Sequence, residues 1–370
     1  MLDLIREKVL SGRRLDAKDA VELFRSDDIF AIGRLASTVA EKKNGGNAYF
    51  VVNRHINPTN ICINRCKFCA FSCSQGDSNA YELTIEEIIE RLRGEKAKGK
   101  GQRANGPEGK LRTPFREVHI VGGLHPDWPF EHYLGMVSDI KKEFPSIHIK
   151  AFTAVEIDHF SRISGLTISA VLETLKDKGL DVMPGGGAEI FAERVRNKLC
   201  PEKISGERWL DVHRAAHRTG IWTNATMLYG HIEDYRERVD HLMKLRNLQD
   251  ETNGFQAFIP LAYHPKNTDI GGFYSSGIDD LRTIAVSRLV LDNFDHIKAY
   301  WIMLGEKVAQ LSLLFGADDL DGTIIEEKIT HAAGAMSSQG MTKAEMIDLI
   351  ERAGKIAVER DAFYNALPVS

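Results

Sequence analysis

Four of the five cysteines fall within one short stretch: Cys62, Cys66, Cys69 and Cys73. The first three follow a CX3CX2C spacing, in Cys62-Ile63-Asn64-Arg65-Cys66-Lys67-Phe68-Cys69. An odd number of cysteines, tightly grouped in a long chain, argues for metal and against a disulfide framework. A [4Fe–4S] cluster normally takes four cysteines. Three close ligands leave one iron open to a substrate or cofactor, as the open position of a catalytic zinc does. Spacing alone keeps two other readings. A structural zinc loop needs a fourth ligand, for which Cys73 or His55 could serve, although such sites prefer paired CX2C knuckles. A ferredoxin-like electron carrier would take Cys73 as its fourth cysteine. Cys200 reads as an inert buried thiol.

Further polar and glycine residues recur where apolar runs end. Gly122 and Gly123 let the backbone approach a ligand closely. Thr153 and Glu156 follow the next run; Glu156 fits either a ribose hydroxyl or the cap of the following helix. Gly185, Gly186 and Gly187 are costly in backbone entropy and make sense where a ligand lies against the chain, with Glu189 entering the cavity just beyond. His231, Tyr263 and His264 end two later runs and are candidate acid/base or substrate-anchoring groups, though a lone histidine is more often structural. Arg54 and His55 alternate on one strand, so only one of them points inward.

These residues must be positioned by regular elements. Residues 1–48 read as a helical segment, with Asp16 capping 17–24 and a second run over 29–42. From residue 49 short apolar strands alternate with helices. The pattern predicts strands at 49–56, 117–122, 147–153, 180–184, 221–228, 255–261 and 297–302, with a weaker eighth at 311–316. Thr84 with Glu87, and Thr342 with Glu345, form capping boxes at helix starts. Such alternation predicts an α/β fold built on a parallel sheet. Seven or eight units favour a closed (β/α)8 TIM-type barrel over 49–325, with the cysteine loop at the C-terminal end of its first strand, where barrel active sites lie. Residues 326–370 read as a C-terminal helical extension. Residues 94–114, rich in Gly, Lys and Arg, read as a surface insertion, with docking of an acidic electron donor as the functional alternative.

Composition bounds the rest. The 370 residues are 43% hydrophobic and 27% charged, with a net charge of −4. That balance gives no sign of a nucleic-acid partner. No apolar run nears the roughly 20 residues of a membrane span, and no secretory signal is visible, so a cytoplasmic location is expected.

The CX3CX2C loop with an aromatic before its last cysteine resembles the signature of radical S-adenosylmethionine (SAM) enzymes. The resemblance implies that Cys62, Cys66 and Cys69 hold a [4Fe–4S] cluster whose open iron chelates SAM. Cys73 is then dispensable. It implies SAM contacts at Gly122, Gly123, Thr153, Glu156, Gly185, Gly186 and Glu189. Leu124 stands where the family commonly has Glu, so the contact at the paired glycines must be main-chain. A side chain at Gly123 or Gly186 should then obstruct SAM while leaving the cluster in place.

Residues 53–60 and 69–71 resemble the futalosine-pathway and deazaflavin-cofactor synthases. The stretches 122–128 (GGLHPDW), 148–153 (HIKAFT), 184–190 (PGGGAEI), 226–233 (TMLYGHIE), 296–301 (HIKAYW) and 315–323 (FGADDLDGT) are most similar to the aminofutalosine synthase family of menaquinone biosynthesis. This implies 3-[(1-carboxyvinyl)oxy]benzoate as substrate and SAM as a consumed co-substrate. It also implies an external one-electron reductant such as flavodoxin or ferredoxin. Arg54, His55, His125, Arg194 and Arg196 are the candidate donors to the two carboxylates. The sister dehypoxanthine futalosine cyclases, which abstract hydrogen, are the nearest alternative.

Overall fold

A computed structural model describes residues 2–94, 115–325 and 327–367. Apart from Gly94, the basic stretch 94–114 lies outside them. Helices α1 (Leu2–Leu10), α2 (Ala17–Arg25) and α3 (Ile29–Asn44) lead into strands β1 (Asn47–Val51) and β2 (Asn53–Ile56). There follow α4 (Ile85–Arg93), β3 (Glu117–Ile120), α5 (Phe130–Glu143), β4 (His148–Ala151), α6 (Ala154–Ser164), α7 (Ile168–Lys178) and β5 (Val182–Met183). Next come α8 (Glu193–Leu199), α9 (Gly206–Arg218), β6 (Trp222–Tyr229), α10 (Tyr235–Thr252), β7 (Phe255–Ala262), α11 (Gly277–Val290) and β8 (His296–Ile297). The remainder is α12 (Trp301–Leu304), α13 (Glu306–Ser312), β9 (Asp319–Gly322), α14 (Ile329–Ala332), α15 (Lys343–Glu351) and β10 (Ile356–Glu359).

Strands β2 to β8 form one parallel sheet in sequence order. Its helices supply the outer layer, and their starts are fixed by side chains: Thr84 with Glu87 and Thr342 with Glu345 form reciprocal capping boxes. The sheet curls until its edges meet through residues 319–325. Lys298 bridges to Asp319 on one side, and the His55 amide donates to the Ile325 carbonyl at 3.1 Å on the other. Among the described residues, no helix is long and apolar enough to cross a membrane.

Three features differ from the pattern in the sequence. The first strand breaks at Val52, so that β1 joins a separate three-stranded sheet between β9 and β10. Residues 311–316 end helix α13 and turn through Gly316 at φ +99°; the strand that closes the barrel is β9. Its sequence, Asp-Leu-Asp-Gly, does not look strand-like because its aspartates are paired inside the fold, Asp319 with Arg360 at 2.7 Å and Asp321 with Lys298 at 2.8 Å. Burial alone would raise both carboxyls, but those cations hold them below the ordinary range. Finally, the segment beyond Ile325 holds more than helices. Strand β10 pairs in parallel with β1, and residues 360–364 then cross the barrel floor. There Gln256 donates to the Ala362 carbonyl at 2.9 Å and Tyr364 stacks on His296 at 3.7 Å.

In a parallel sheet, register-paired residues face the same side. The pairing His55↔His119 and His119↔Lys150 therefore puts these three side chains inside the barrel, with Val118, Ile149 and Arg54 on the helix side. The lower lumen is ionic. Glu117 pairs with Lys150 at 2.7 Å, level with the Lys298–Asp321 and Arg360–Asp319 pairs.

Candidate active site

The cysteine loop leaves β2 through Asn57-Pro58-Thr59-Asn60 and is tied down by backbone hydrogen bonds. The Cys62 amide donates to the Cys73 carbonyl, the Cys73 amide to Asn60, the Ile63 amide to Leu124 and the Lys67 amide to Leu199. These bonds hold the loop over the C-terminal ends of β2 and β3. The Leu124 amide points at the Cys62 sulfur from 3.4 Å. Cys66 is buried, which pushes its thiol up to about 12. Lys203 opposes that shift by favouring the thiolate; its ammonium pairs with Glu189 at 2.7 Å and sits 5.0 Å from the ring centre of Phe68. Cys62 and Cys66 each sense the charge of Cys69, so the three thiols share one neighbourhood. Cys73 turns its sulfur to the Asn60 carbonyl at 3.7 Å. Among the described residues, no three His, Cys, Asp or Glu side chains crowd round one point, as a single ion such as zinc requires. A cubane cluster asks for something else: each cysteine binds a different iron, so the sulfurs stand apart. Three thiols on one loop, an N–H aimed at sulfur and a buried cation as counter-charge fit such a cluster.

The glycine-rich strand ends lie beside this loop, but their tightest contacts are with protein. A Cβ on Gly123 would meet the Ile61 carbonyl oxygen at 2.1 Å and the Cys62 Cβ at 3.1 Å. The expectation that a side chain there would spare the cluster is therefore corrected: it would move the loop that carries Cys62. Gly185 lies against the backbone of Asn224 and Ala225, and Gly186 against Thr153. The turn is held from the lumen side by Thr226 and from the helix side by Trp209, which donate to the carbonyls of Gly185 and Gly186 at 2.6 and 3.1 Å.

Glu156 turns back to its own helix start. Its carboxylate accepts from the Thr153 amide and hydroxyl at 2.7 and 2.8 Å. Burial raises this carboxyl to about 7, against the hydrogen bonds from Thr153 and from the Gly122 amide. Of the two readings for Glu156, the cap is thus formed. Phe152, just past β4, and Glu189, beyond the glycine turn that follows β5, hold left-handed φ values of +63° and +46°. Non-glycine residues adopt these at a cost of about 1–3 kcal/mol, and such strain clusters at functional sites.

The arginines expected to face the substrate do not enter the lumen. Arg54 points outward and donates to the Leu92 carbonyl of α4 at 3.4 Å. Arg194 is half exposed and paired with Glu237 at 2.6 Å. Arg196 is buried and donates to the Ala188 carbonyl at 2.7 Å, bracing the glycine turn. A charge on a strand or helix start goes where its parity sends it, and in all three cases parity leads to the helical layer. His125 is buried, stacked on Trp128 and 3.0 Å from Glu82.

Of the three candidate acid/base residues, His231 and Tyr263 meet edge-on with ring centres 5.9 Å apart, and each polar group is already engaged within the protein or buried. His231 is fixed between the Leu228 carbonyl and Glu233 at 3.0 and 2.8 Å. Tyr263 directs its hydroxyl to Thr268 and the Gly271 carbonyl. His264 uses Nε2 on the Met303 carbonyl at 2.9 Å and keeps a buried Nδ1 without a partner.

The upper lumen is open. On β7 the inward residues Ile259 and Leu261 are partly exposed, while the outward Phe258, Pro260 and Ala262 are buried. On β3 His119 is likewise more accessible than Val118 and Ile120. Tyr300, just past β8, completes this wall. Hollow walls invert the usual burial pattern, and here they do so beneath the cysteine loop. His119, Tyr300, Asn224 and Lys203 were not singled out in the sequence. The available signal was polarity at inward parity: both HIKA stretches carry their lysine, Lys150 or Lys298, at that parity. Two clefts of about 430 Å³ lie among α1, α2 and α3 and between α2 and α10, away from all these residues.

A profile of the CofH/MqnC C-terminal region matches residues 252–370. The aminodeoxyfutalosine synthase of Thermus thermophilus is 46% identical to this chain, covering 99% of it and 95% of that protein. The aminodeoxyfutalosine synthase of Streptomyces coelicolor is 42% identical, covering 98% and 93%. The 5-amino-6-(D-ribitylamino)uracil–L-tyrosine 4-hydroxyphenyl transferase of Methanococcoides burtonii is 35% identical, covering 99% of each. In fold the chain is similar to methylornithine synthase, with a TM-score of 0.73, 20% identity, and coverage of 95% and 97%.

Proposed function

The chain belongs to the radical SAM family of the aminodeoxyfutalosine synthases, and from that premise we propose that it joins the adenosyl group of SAM to 3-[(1-carboxyvinyl)oxy]benzoate. Cys62, Cys66 and Cys69 would hold the [4Fe–4S] cluster, which with SAM and one electron from an external carrier supplies a 5′-deoxyadenosyl radical. The 5′ carbon bonds to the terminal vinyl carbon. The aryl group then moves from oxygen to the neighbouring carbon, and the carboxylate leaves as CO2, giving back the electron that began the cycle. Methionine and 6-amino-6-deoxyfutalosine are the products.

The residues of the chain position and shield these steps. Loop 57–69 and the Gly122-Gly123 turn form one unit over the lumen, so cofactor and substrate meet at its mouth. Ile259, Leu261 and Tyr300 offer an apolar and aromatic wall for the benzoate ring. The observation that carries the reading is the 46% identity over nearly the full length of a synthase.

The test is anaerobic incubation of the reconstituted, reduced protein with the enol ether and SAM carrying ¹³C at the 5′ position, followed by mass spectrometry. The label should appear in a nucleoside that also carries the benzoate. Label confined to 5′-deoxyadenosine would mean hydrogen abstraction instead, as in the sister cyclases, and would end the synthase reading while leaving the radical SAM reading intact.

A further inference from the structure

A dianionic ligand in this lumen needs a positive partner, and the lysines and arginine there are engaged. Lys150 is paired with Glu117, Lys298 with Asp321 and Arg360 with Asp319, three cations against three carboxylates. Glu327, which also faces this region, is paired with His331 at 3.0 Å. Directly above the ionic layer stand two imidazoles, His55 on β2 and His119 on β3, in register and 4.6 Å apart at their ring centres. Each has a buried Nε2 with no hydrogen-bond partner, and His55 is 6% exposed. Folded proteins rarely leave such atoms unmatched, because a buried donor or acceptor that gives up water without gaining a partner is costly. His119 is half-buried, more accessible than its strand neighbours Val118 and Ile120.

We propose that His55 and His119 form a carboxylate-binding subsite for the aromatic dicarboxylate, and that this pair takes up a proton from solvent when the dianion binds. The inference rests on the proposed reaction only in taking the substrate to be a dicarboxylate. In the free protein burial pushes both imidazoles below their ordinary value, disfavouring the charged form. His55 faces Asp321, Glu327, Glu117 and Lys150; His119 faces His55, Lys150, Lys298 and Asp321. A carboxylate set against the two Nε2 atoms supplies the missing acceptor and brings a negative charge that the balanced layer below does not match. Protonation of one imidazole supplies that match. A second is opposed by the first at such short range. Affinity should therefore fall as pH rises above the ordinary imidazole value.

Calorimetric titration of the reconstituted holoprotein tests this, at about pH 7.5, above the ordinary imidazole value, in two buffers of different ionisation enthalpy. Benzene-1,3-dicarboxylate and the enol ether are the two probes. Both should bind with net proton uptake. In His55→Gln and His119→Gln both affinities should fall about tenfold or more, and the uptake should vanish, with iron content and SAM affinity unchanged. Zero uptake by the wild type, or unchanged affinity in both variants, overturns the subsite. Should a glutamine variant lose iron, the wild-type uptake still decides, with His119→Asn as the second variant. Product formation separates the two readings. Nucleoside product without proton uptake refutes the histidine pair alone. Uptake with the benzene dicarboxylate but no product from the enol ether refutes the synthase reading alone.

Discussion

Glu156→Gln isolates one ionisation in the candidate site. The carboxamide keeps the shape of the side chain and still accepts from Thr153, so the capping box at the start of α6 survives. What disappears is a buried carboxyl that titrates near 7 in the folded chain instead of its ordinary 4.5. A carboxyl with a raised folded value binds its proton more tightly when folded. It therefore costs nothing below pH 4.5 and penalises the folded state progressively as pH rises to 7. Each pH unit in that window is worth roughly 1.4 kcal/mol, so about 3 kcal/mol accumulates above it. That figure already includes the hydrogen bonds from Thr153 and Gly122, which hold the value down to 7. The variant should thus be about 3 kcal/mol more stable than the wild type at about pH 8, relative to their difference below about pH 4.5, where this gain is gone. Anaerobic denaturant titrations of both proteins across this range measure it, and titrations common to both cancel in the difference. A difference independent of pH, or one that falls toward the alkaline end, would refute the argument that burial dominates at Glu156.

Gly123→Val should lower iron content together with SAM binding, because its first contact is the Ile61 carbonyl beside Cys62; iron analysis showing a full cluster with only SAM affinity lost would contradict this. Cys73→Ala should retain the iron and sulfide of the wild type, since its sulfur faces Asn60 and its structural role is carried by backbone atoms; loss of cluster absorbance would make it a ligand. Arg360→Met leaves Asp319 buried without its partner and should destabilise the protein by about 3–5 kcal/mol, read as a lowered melting temperature. A melting temperature equal to the wild type would show that residues 360–364 do not seal the floor.

The cysteine loop and the glycine-rich strand ends were legible because their signals are local: spacing, and glycine at the end of an apolar run. Direction was not. Arg54 and His55 are neighbours, and only the register with β3 tells which of them enters the lumen. The arginines looked like carboxylate donors because charge is visible in a sequence while the carbonyl or carboxylate that occupies it is not; Arg196 spends its donors on Ala188. His119 escaped notice for the converse reason, since its neighbours Val118 and Ile120 made the strand read as plain core. Strand β9 was missed because its aspartates find their partners far along the chain, in Lys298 and Arg360.

The pairing of β1 with β10 has a consequence for synthesis. On a ribosome, β1 must wait for some 300 further residues before this second partner, beyond β9, exists; the gap runs from Val51 to Ile356. During that wait Asp319 lacks Arg360, and the lower lumen is open to water on the side that Tyr364 later covers. A nascent chain stalled short of residue 356 can form most of its strand–helix units but cannot shut the barrel floor. Its exposed β1 edge is then a template for the wrong strand. Synthesis past residue 356 and closure of the barrel floor are thereby coupled, and chaperone demand should peak before that point.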